Sequence, residues 1–317
     1  MKIAYIYHSA DLDGWMSAAI VKHWFIQKMN NEPINDTIDF IGYNYGQPIP
    51  DLSEYDKVIM CDISLPKDEM IKLFENTDFI WIDHHISAIN ESKHSSVILS
   101  YDDSKGIRDT KFAACELTWK YFFPNETMPE IVRLLGRYDC FGHRGTDEEQ
   151  KVLEFQYGAR QCISNYKEAY NHLIDEGMNY KNPEINTLNV IYDKGKSIYK
   201  YLCTEAKQVY KNGFEITLQE PFVGLWGSGK DNRKFICINK ERFNPINFGI
   251  DYHKEGYDGC AAFYYDGKNW CFSLYNDNGL VDCSQIAKQY GGGGHKGASG
   301  FIIKDINLII HPEIYRF

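Results

Sequence analysis

Apolar and polar positions in the first half of the chain switch between two periods. Short apolar or alternating runs at Lys2–His8, Thr37–Tyr43, Lys57–Asp62 and Phe79–Asp83 predict strands. Trp15–Met29, with Met16, Ala19, Ile20, Trp24 and Ile26 on one face, has helical spacing, and so has Pro66–Phe74. Phe112–Phe123, closed by Pro124, and Pro129–Asp139 predict two further helices. Strands that alternate with helices imply a mostly parallel α/β sheet. From Glu148 to Gln208 the pattern is helical, and Glu184–Gln208 is long enough to connect two domains. The period then becomes strand-like at Phe214–Gln219, Lys234–Asn239, Gly259–Tyr265 and Trp270–Tyr275, with Asp266-Gly267 as a hairpin turn between the last two. Ser284–Tyr290 is expected to be a short helix with Ser284 as its N-cap, followed by a glycine run and a last strand, Gly300–Ile303. The fold class expected is α/β: an N-terminal, mostly parallel-sheet domain over 1–183, a connecting helix over 184–211 and a smaller mixed α/β domain over 212–317.

A chain of 317 residues exceeds what one hydrophobic core commonly supports, which agrees with two domains. No apolar run approaches the ~20 residues that span a bilayer, so no membrane partner is expected. The N-terminus reads as a strand rather than a secretion signal, and a cytoplasmic location is expected. Nine scattered cysteines without a C-x-x-C pair suit neither a disulfide framework nor a thiolate zinc site. The formal charge of -10 opposes binding of long duplex nucleic acid, which depends on neutralising many phosphates. Divalent cations gathered in one cleft would change that balance locally and attract a small anion. The sequence leaves oligomeric state open, a homodimer included.

Four acidic or histidine clusters each close an apolar run. They are His8-Ser9-Ala10-Asp11-Leu12-Asp13-Gly14, then Asp62 after Val58-Ile59-Met60-Cys61, then Asp83-His84-His85 after Phe79-Ile80-Trp81-Ile82, and Asp139 in Gly136-Arg137-Tyr138-Asp139-Cys140. Open α/β sheets bind ligands at the strand ends. Mixed carboxylate and imidazole donors suit manganese or a similar divalent ion better than calcium or thiolate-bound zinc. Asp11 and Asp13 are two apart, so an extended backbone would point both the same way. Any one of these motifs alone is commonly a turn or a helix cap, but four in order are poorly explained by chance.

On these motifs the sequence resembles the DHH phosphoesterase family, whose signature stands here as Asp83-His84-His85. The stretch Tyr290-Gly291-Gly292-Gly293-Gly294-His295-Lys296-Gly297-Ala298-Ser299-Gly300, after a Ser-x-x-Ala helix at Ser284 to Ala287, is similar to the glycine loop of the DHH-associated domain. The resemblance implies two divalent metal ions, Mn²⁺ foremost. His8, Asp11 and Asp62 would hold one, and Asp13, Asp62, His84 and Asp139 the other, with Asp62 bridging. It implies hydrolysis of phosphodiester or phosphomonoester bonds by a metal-bridged hydroxide. Asp83 would orient a neighbour, and His85 would contact a phosphate oxygen or protonate the leaving oxygen. Gly292, Gly293, Gly294 and His295 would bind substrate.

The two-domain layout resembles small members acting on short oligoribonucleotides or on 3′-phosphoadenosine 5′-phosphate. Cyclic dinucleotides or polyphosphate form an alternative substrate class, and a metal-binding regulatory module without turnover is a different class altogether. Tyr264, Tyr265, Trp270 and Tyr275 are candidates for base stacking, with core packing as the plainer reading. One departure stands out: where small relatives carry Ser-Leu-Arg-Ser, this chain has Ser273-Leu274-Tyr275-Asn276, and tyrosine cannot make a bidentate phosphate contact. Lys230, Arg233 and Arg242 are candidate replacements.

Overall fold

The computed structural model describes residues 1–31, 35–92, 105–178, 187–224 and 227–310. The chain divides into two compact units, Met1–Tyr199 and Lys200–Phe317.

In the first unit, β1 (Lys2–His8), β2 (Thr37–Tyr43), β3 (Lys57–Cys61) and β4 (Asp78–Ile82) form an all-parallel sheet in the order β2-β1-β3-β4. Strands β1 and β3 read as continuous apolar runs because both of their faces are covered, as parallel sheets require. On one face α1 (Leu12–Asn31) and α4 (Ala114–Phe122) pack Ala18, Val21, Phe25 and Leu117 against Ile3, Tyr5, Ile59 and Ile80. On the other, α2 (Lys67–Asn76) packs Met70, Leu73 and Phe74 against Ile6, Val58, Met60 and Trp81. Short α3 (Ile86–Ser92) follows β4 directly.

A helical layer completes the unit: α5 (Glu130–Asp139), α6 (Glu149–Cys162), α7 (Tyr166–Met178) and the first part of α8 (Thr187–Tyr210) share a core with α1 and α4. Helices α6 and α8 touch backbone to backbone. A Cβ on Gly158 would lie 1.9 Å from the Ile191 carbonyl oxygen, and one on Gly195 would lie 1.8 Å from that of Glu154. The expected helix over Glu184–Gln208 corresponds to α8; positions 184–186 lie outside the described residues. The boundary between the two units falls inside α8, at Tyr199/Lys200.

The second unit is a mixed six-stranded sheet, β5 (Phe214–Gly224), β6 (Gly227–Asn239), β7 (Gly259–Tyr265), β8 (Trp270–Tyr275), β10 (Ala298–Ile303) and β9 (Gly293–Gly294), in that spatial order. Among the described residues of this sheet, β6 and β7 pair in parallel and the other neighbours pair antiparallel. Alternation sorts its side chains. Phe235, Cys237, Ala261 and Phe263 meet Ile286 and Ala287 of α9 (Cys283–Lys288), whereas Ile236, Ile238, Cys260 and Ala262 meet Ala206 of α8 and Tyr252. The β7–β8 hairpin turns at Asp266-Gly267, with Gly267 at φ +94°. The N-cap of α9 is Asp282 rather than the expected Ser284. The Asp282 side chain accepts from the Ser284 and Gln285 amides, and aspartate competes for that position as well as serine does. The glycine run is also more ordered than a loose turn, since Gly293 and Gly294 form edge strand β9 against Gly300 and Ser299.

Candidate metal centre

With the order β2-β1-β3-β4, the chain crosses from one side of β1 to the other, which opens a crevice between the carboxyl ends of β1 and β3. His8 ends β1 and Asp62 follows β3, so the topology alone brings two of the candidate residues to that crevice. Gly14 lets the first turn of α1 come close, for a Cβ there would lie 1.9 Å from the His8 carbonyl oxygen. Asp62 adopts φ +62°, a left-handed conformation that aspartate tolerates better than most residues but that still costs about 1 kcal/mol. Its amide keeps the sheet ladder by donating to the Ile82 carbonyl at 3.0 Å.

The result is a carboxylate between two imidazoles. Asp62 is buried; its Oδ2 lies 3.5 Å from His8 Nδ1, and its Oδ1 lies 3.4 Å from His84 Nε2. His8 Nδ1 is also 3.0 Å from Asp11 Oδ2. His84 Nε2 is 3.6 Å from Asp13 Oδ2 and 3.3 Å from Asp139 Oδ2, Asp139 being the last residue of α5. Ligand-type atoms therefore gather in groups that share members: His8, Asp11 and Asp62; Asp13, His84 and Asp139; and Asp62 with His84 and His85.

Asp11 and Asp13 do not follow the extended geometry expected from their spacing, because α1 begins between them at Leu12. Asp11 caps that helix, accepting from the Gly14 amide at 3.0 Å. Asp13 sits in its first turn, and its two oxygens accept from the Ala114 amide (2.9 Å) and the Cys115 amide (2.7 Å) at the start of α4. Asp83 is fully buried, and its Oδ1 takes the amides of His84 (2.7 Å) and His85 (3.1 Å) and lies 2.8 Å from His85 Nδ1. It thus fixes the His85 ring, which stacks obliquely on His84 at 4.6 Å.

Charge crowding shows in the proton affinities. Burial works against the charged forms of His8 and His84, but the surrounding aspartates outweigh it and push both up to about 10. Burial likewise opposes ionisation of Asp62, yet the flanking histidines hold its carboxyl well below the ordinary range. Burial and the neighbouring Asp62 and Asp139 charges raise Asp13. A set of buried donors also fits a cation better than it fits its own company. His8 Nδ1, Asp62 Oδ2 and Asp83 Oδ2 are buried without a hydrogen-bond partner among the described residues, and the approaches of His8 to Asp11 at 3.0 Å and to Asp62 at 3.5 Å lack hydrogen-bond alignment. Unpartnered imidazole nitrogen and carboxylate oxygen facing one another are the donor set that a divalent transition ion accepts.

Two residues at the crevice carried no signal in the sequence. The ring of Tyr45 lies 6.4 Å from that of His8, and its hydroxyl is 3.4 Å from Ser64 Oγ. Arg108 bridges Asp83 through the backbone and donates from Nη1 to the Trp81 carbonyl. One tyrosine in a chain with 23 has no motif to mark it.

In the second unit, the turn after β9 closes by His295 N to Ala298 O (2.7 Å), and the Ser299 hydroxyl donates to the His295 carbonyl. A Cβ added at Gly291 or Gly293 would meet nothing within 4 Å. Tyr275 packs beside the apolar cluster around Tyr252, and Trp270 packs against the opposite core, while Tyr265 remains exposed. Among the candidate replacements for the missing arginine, Arg233 is held by Glu220 at 2.8 Å and Asp231 at 3.3 Å. Arg242 is exposed and lies 3.9 Å from Glu241.

Residues 2–135, which contain every residue of this centre except Asp139, match the DHH family, N-terminal domain. The N-terminal unit is thus similar to the DHH family over most of its length. Among curated proteins, the uncharacterised protein R106 of Acanthamoeba polyphaga mimivirus is 24% identical over 325 residues, spanning 95% of this chain and 67% of that protein. Among solved structures, the pGpG-specific phosphodiesterase PggH from Vibrio cholerae has 16% identity and a TM-score of 0.49, covering 97% of this chain and 94% of that one. An exopolyphosphatase-related protein from Bacteroides fragilis has 14% identity and a TM-score of 0.47, covering 95% and 86%.

Proposed function

We propose that the chain is a two-metal phosphoesterase that hydrolyses short oligonucleotides or nucleotides, with Mn²⁺ as its preferred cation. His8, Asp11 and Asp62 would hold one ion, and Asp13, Asp62, His84 and Asp139 the other. The observation that carries this reading is Asp62, a single carboxylate with one oxygen toward His8 and the other toward His84. Paired divalent ions supply an ionisable water near neutral pH and positive charge against the oxygens of an in-line displacement.

The chain's own groups do the rest. Asp83 sets the orientation of His85, which would donate to a phosphate oxygen. Asp11, as the cap of α1, is pinned by the Gly14 amide and keeps its second oxygen beside His8. In the second unit, Gly292, Gly293, Gly294 and His295 would contact substrate, supported by the bare backbone at Gly293. The unit would then serve as a DHH-associated substrate-binding domain. Tyr275, placed with the apolar cluster, supports a substrate preference unlike that of members carrying arginine there.

The test is a Mn²⁺ assay on di-, tri- and pentaribonucleotides, 3′-phosphoadenosine 5′-phosphate, a cyclic dinucleotide, polyphosphate and pyrophosphate, with an Asp83→Ala, His84→Ala double variant as control. Variant-sensitive release of mononucleotides from the short RNAs is expected. Cleavage confined to the cyclic dinucleotide or polyphosphate would replace the substrate class. An intact panel with metal bound would overturn the enzymatic reading in favour of a regulatory module.

A further inference from the structure

The acidic crevice has an apolar margin. Tyr45 is 58% exposed, Ile86, directly after His85, is 46% exposed, and Phe141, two residues after Asp139, is 44% exposed. Scattered surface apolar residues need no explanation, but an exposed tyrosine ring 6.4 Å from that of His8, with two more exposed apolar residues adjoining His85 and Asp139 in the chain, does.

Two of them are held there by built features. Asn44 to Gln47 form a type II turn closed by Gln47 N to Asn44 O (3.1 Å), with Gly46 at φ +85° and Tyr45 at its corner. The turn is tied to the loop that carries His8 and Asp11, since Asn44 Oδ1 accepts from the Ser9 amide (3.1 Å) and the Ser9 hydroxyl (3.2 Å). The Tyr45 hydroxyl reaches Ser64, two residues past Asp62. Phe141 sits at φ +57°, a conformation that a bulky residue rarely adopts and in which glycine would be unstrained. Backbone strain under an exposed aromatic ring, two residues from Asp139, is the kind of outlier that functional sites hold in place.

We infer that Tyr45 and Phe141 form an aromatic rim that stacks on the nucleobase next to the phosphate held at the metal centre, so that the site selects nucleosidic over base-free phosphoesters. The inference rests on the phosphoesterase reading for the place of the phosphate. The rim itself stands on the exposure, the turn and the strained backbone. A planar ring is the chemistry that stacks on any base irrespective of its hydrogen-bonding edge, so the rim recognises nucleosides without reading sequence.

The experiment is calorimetric titration of the Mn²⁺-loaded protein with adenosine 5′-monophosphate and with ribose 5-phosphate, in the wild type, Tyr45→Ala, Tyr45→Phe and Phe141→Gly. Wild type should bind the nucleotide about tenfold more tightly than the sugar phosphate, and Tyr45→Ala and Phe141→Gly should each remove most of that factor, as expected for loss of one stacking ring. Tyr45→Phe should retain it, ribose 5-phosphate affinity should be unchanged throughout, and the thermal midpoint of Phe141→Gly should not fall. Equal wild-type affinity for the two ligands, unchanged nucleotide affinity in the variants, or a loss shared by both ligands would overturn the rim. Discrimination by a protein that cleaves no ester would keep the rim and discard the reaction, so the two failures are distinguishable.

Discussion

Asp62 carries the most at the scale of single residues. Asp62→Asn keeps the volume but removes the charge shared by two imidazoles. Activity should fall by about 100- to 1,000-fold, the range seen on losing one preorganised electrostatic group. Metal analysis should show fewer ions per chain. Retention of full activity and stoichiometry by Asp62→Asn would remove Asp62 from the centre. Protonation sharpens the point. In metal-free protein His8 and His84 have folded values pushed up to about 10, above the ordinary ~6.5 of an unfolded histidine. Their charged forms therefore stabilise the fold fully below about pH 6.5, and that contribution is lost as pH rises toward 10. Urea midpoints of metal-free protein should fall between pH 6 and pH 10. Cations must displace those protons, so metal affinity should rise over the same interval. A flat urea profile would mean that the histidines are not paired as described.

Helix α6 lies so close to α8 that no side chain fits at the crossing. Gly158→Ala or Gly195→Ala would drive a methyl group into the facing backbone carbonyl and should each cost about 2 kcal/mol, within the cost of overpacking. Once the helices separate, the second substitution has less left to break, so the double variant should be less destabilised than the sum. Additive denaturation free energies would show that the crossing relaxes locally. Elements were legible wherever burial made the period plain. Lys2–His8, Thr37–Tyr43, Gly259–Tyr265 and Trp270–Tyr275 have in the structure the limits that their apolar or alternating runs imply. Legibility failed where a polar residue had two uses. Asp13 looked like half of an extended pair but lies in a helix whose cap is Asp11, and Asp282 took the cap expected of Ser284. Short α3 has too few residues to establish a period, and β9 is built from glycines that carry no pattern at all. Much of the candidate cluster was readable because His8, Asp62, Asp83 and His84 stand at or just after strand ends, where sequence order maps onto one edge of a sheet. Tyr45 was not, because its place depends on a turn packed against a different loop.

The whole chain carries 44 acidic against 34 basic residues, and among the described residues Asp11, Asp13, Asp62 and Asp139 gather with histidines in one partly buried group. Divalent cations should therefore act as structural ligands of the N-terminal unit as well as reactants' partners. A site occupied at a hundred times its dissociation constant adds about 2.7 kcal/mol, and two sites add correspondingly more. Removing metal with a chelator should lower the thermal midpoint, and Mn²⁺ should restore it with saturation near two ions per chain. An unchanged midpoint would argue that the centre binds no ion tightly. No described helix is long and apolar enough to cross a membrane.

Asp13 places a limit on how this centre could ever be repurposed. Softer metals are usually accommodated by exchanging a carboxylate for cysteine or histidine. Here the carboxylate also receives two amides from the start of α4, and neither a thiolate nor an imidazole can accept both with the same geometry. A designer, or natural drift, that changed the ligand would strand two backbone donors in the interior. The start of α4 would thus keep an oxygen donor at this one position, whichever divalent ion the centre takes.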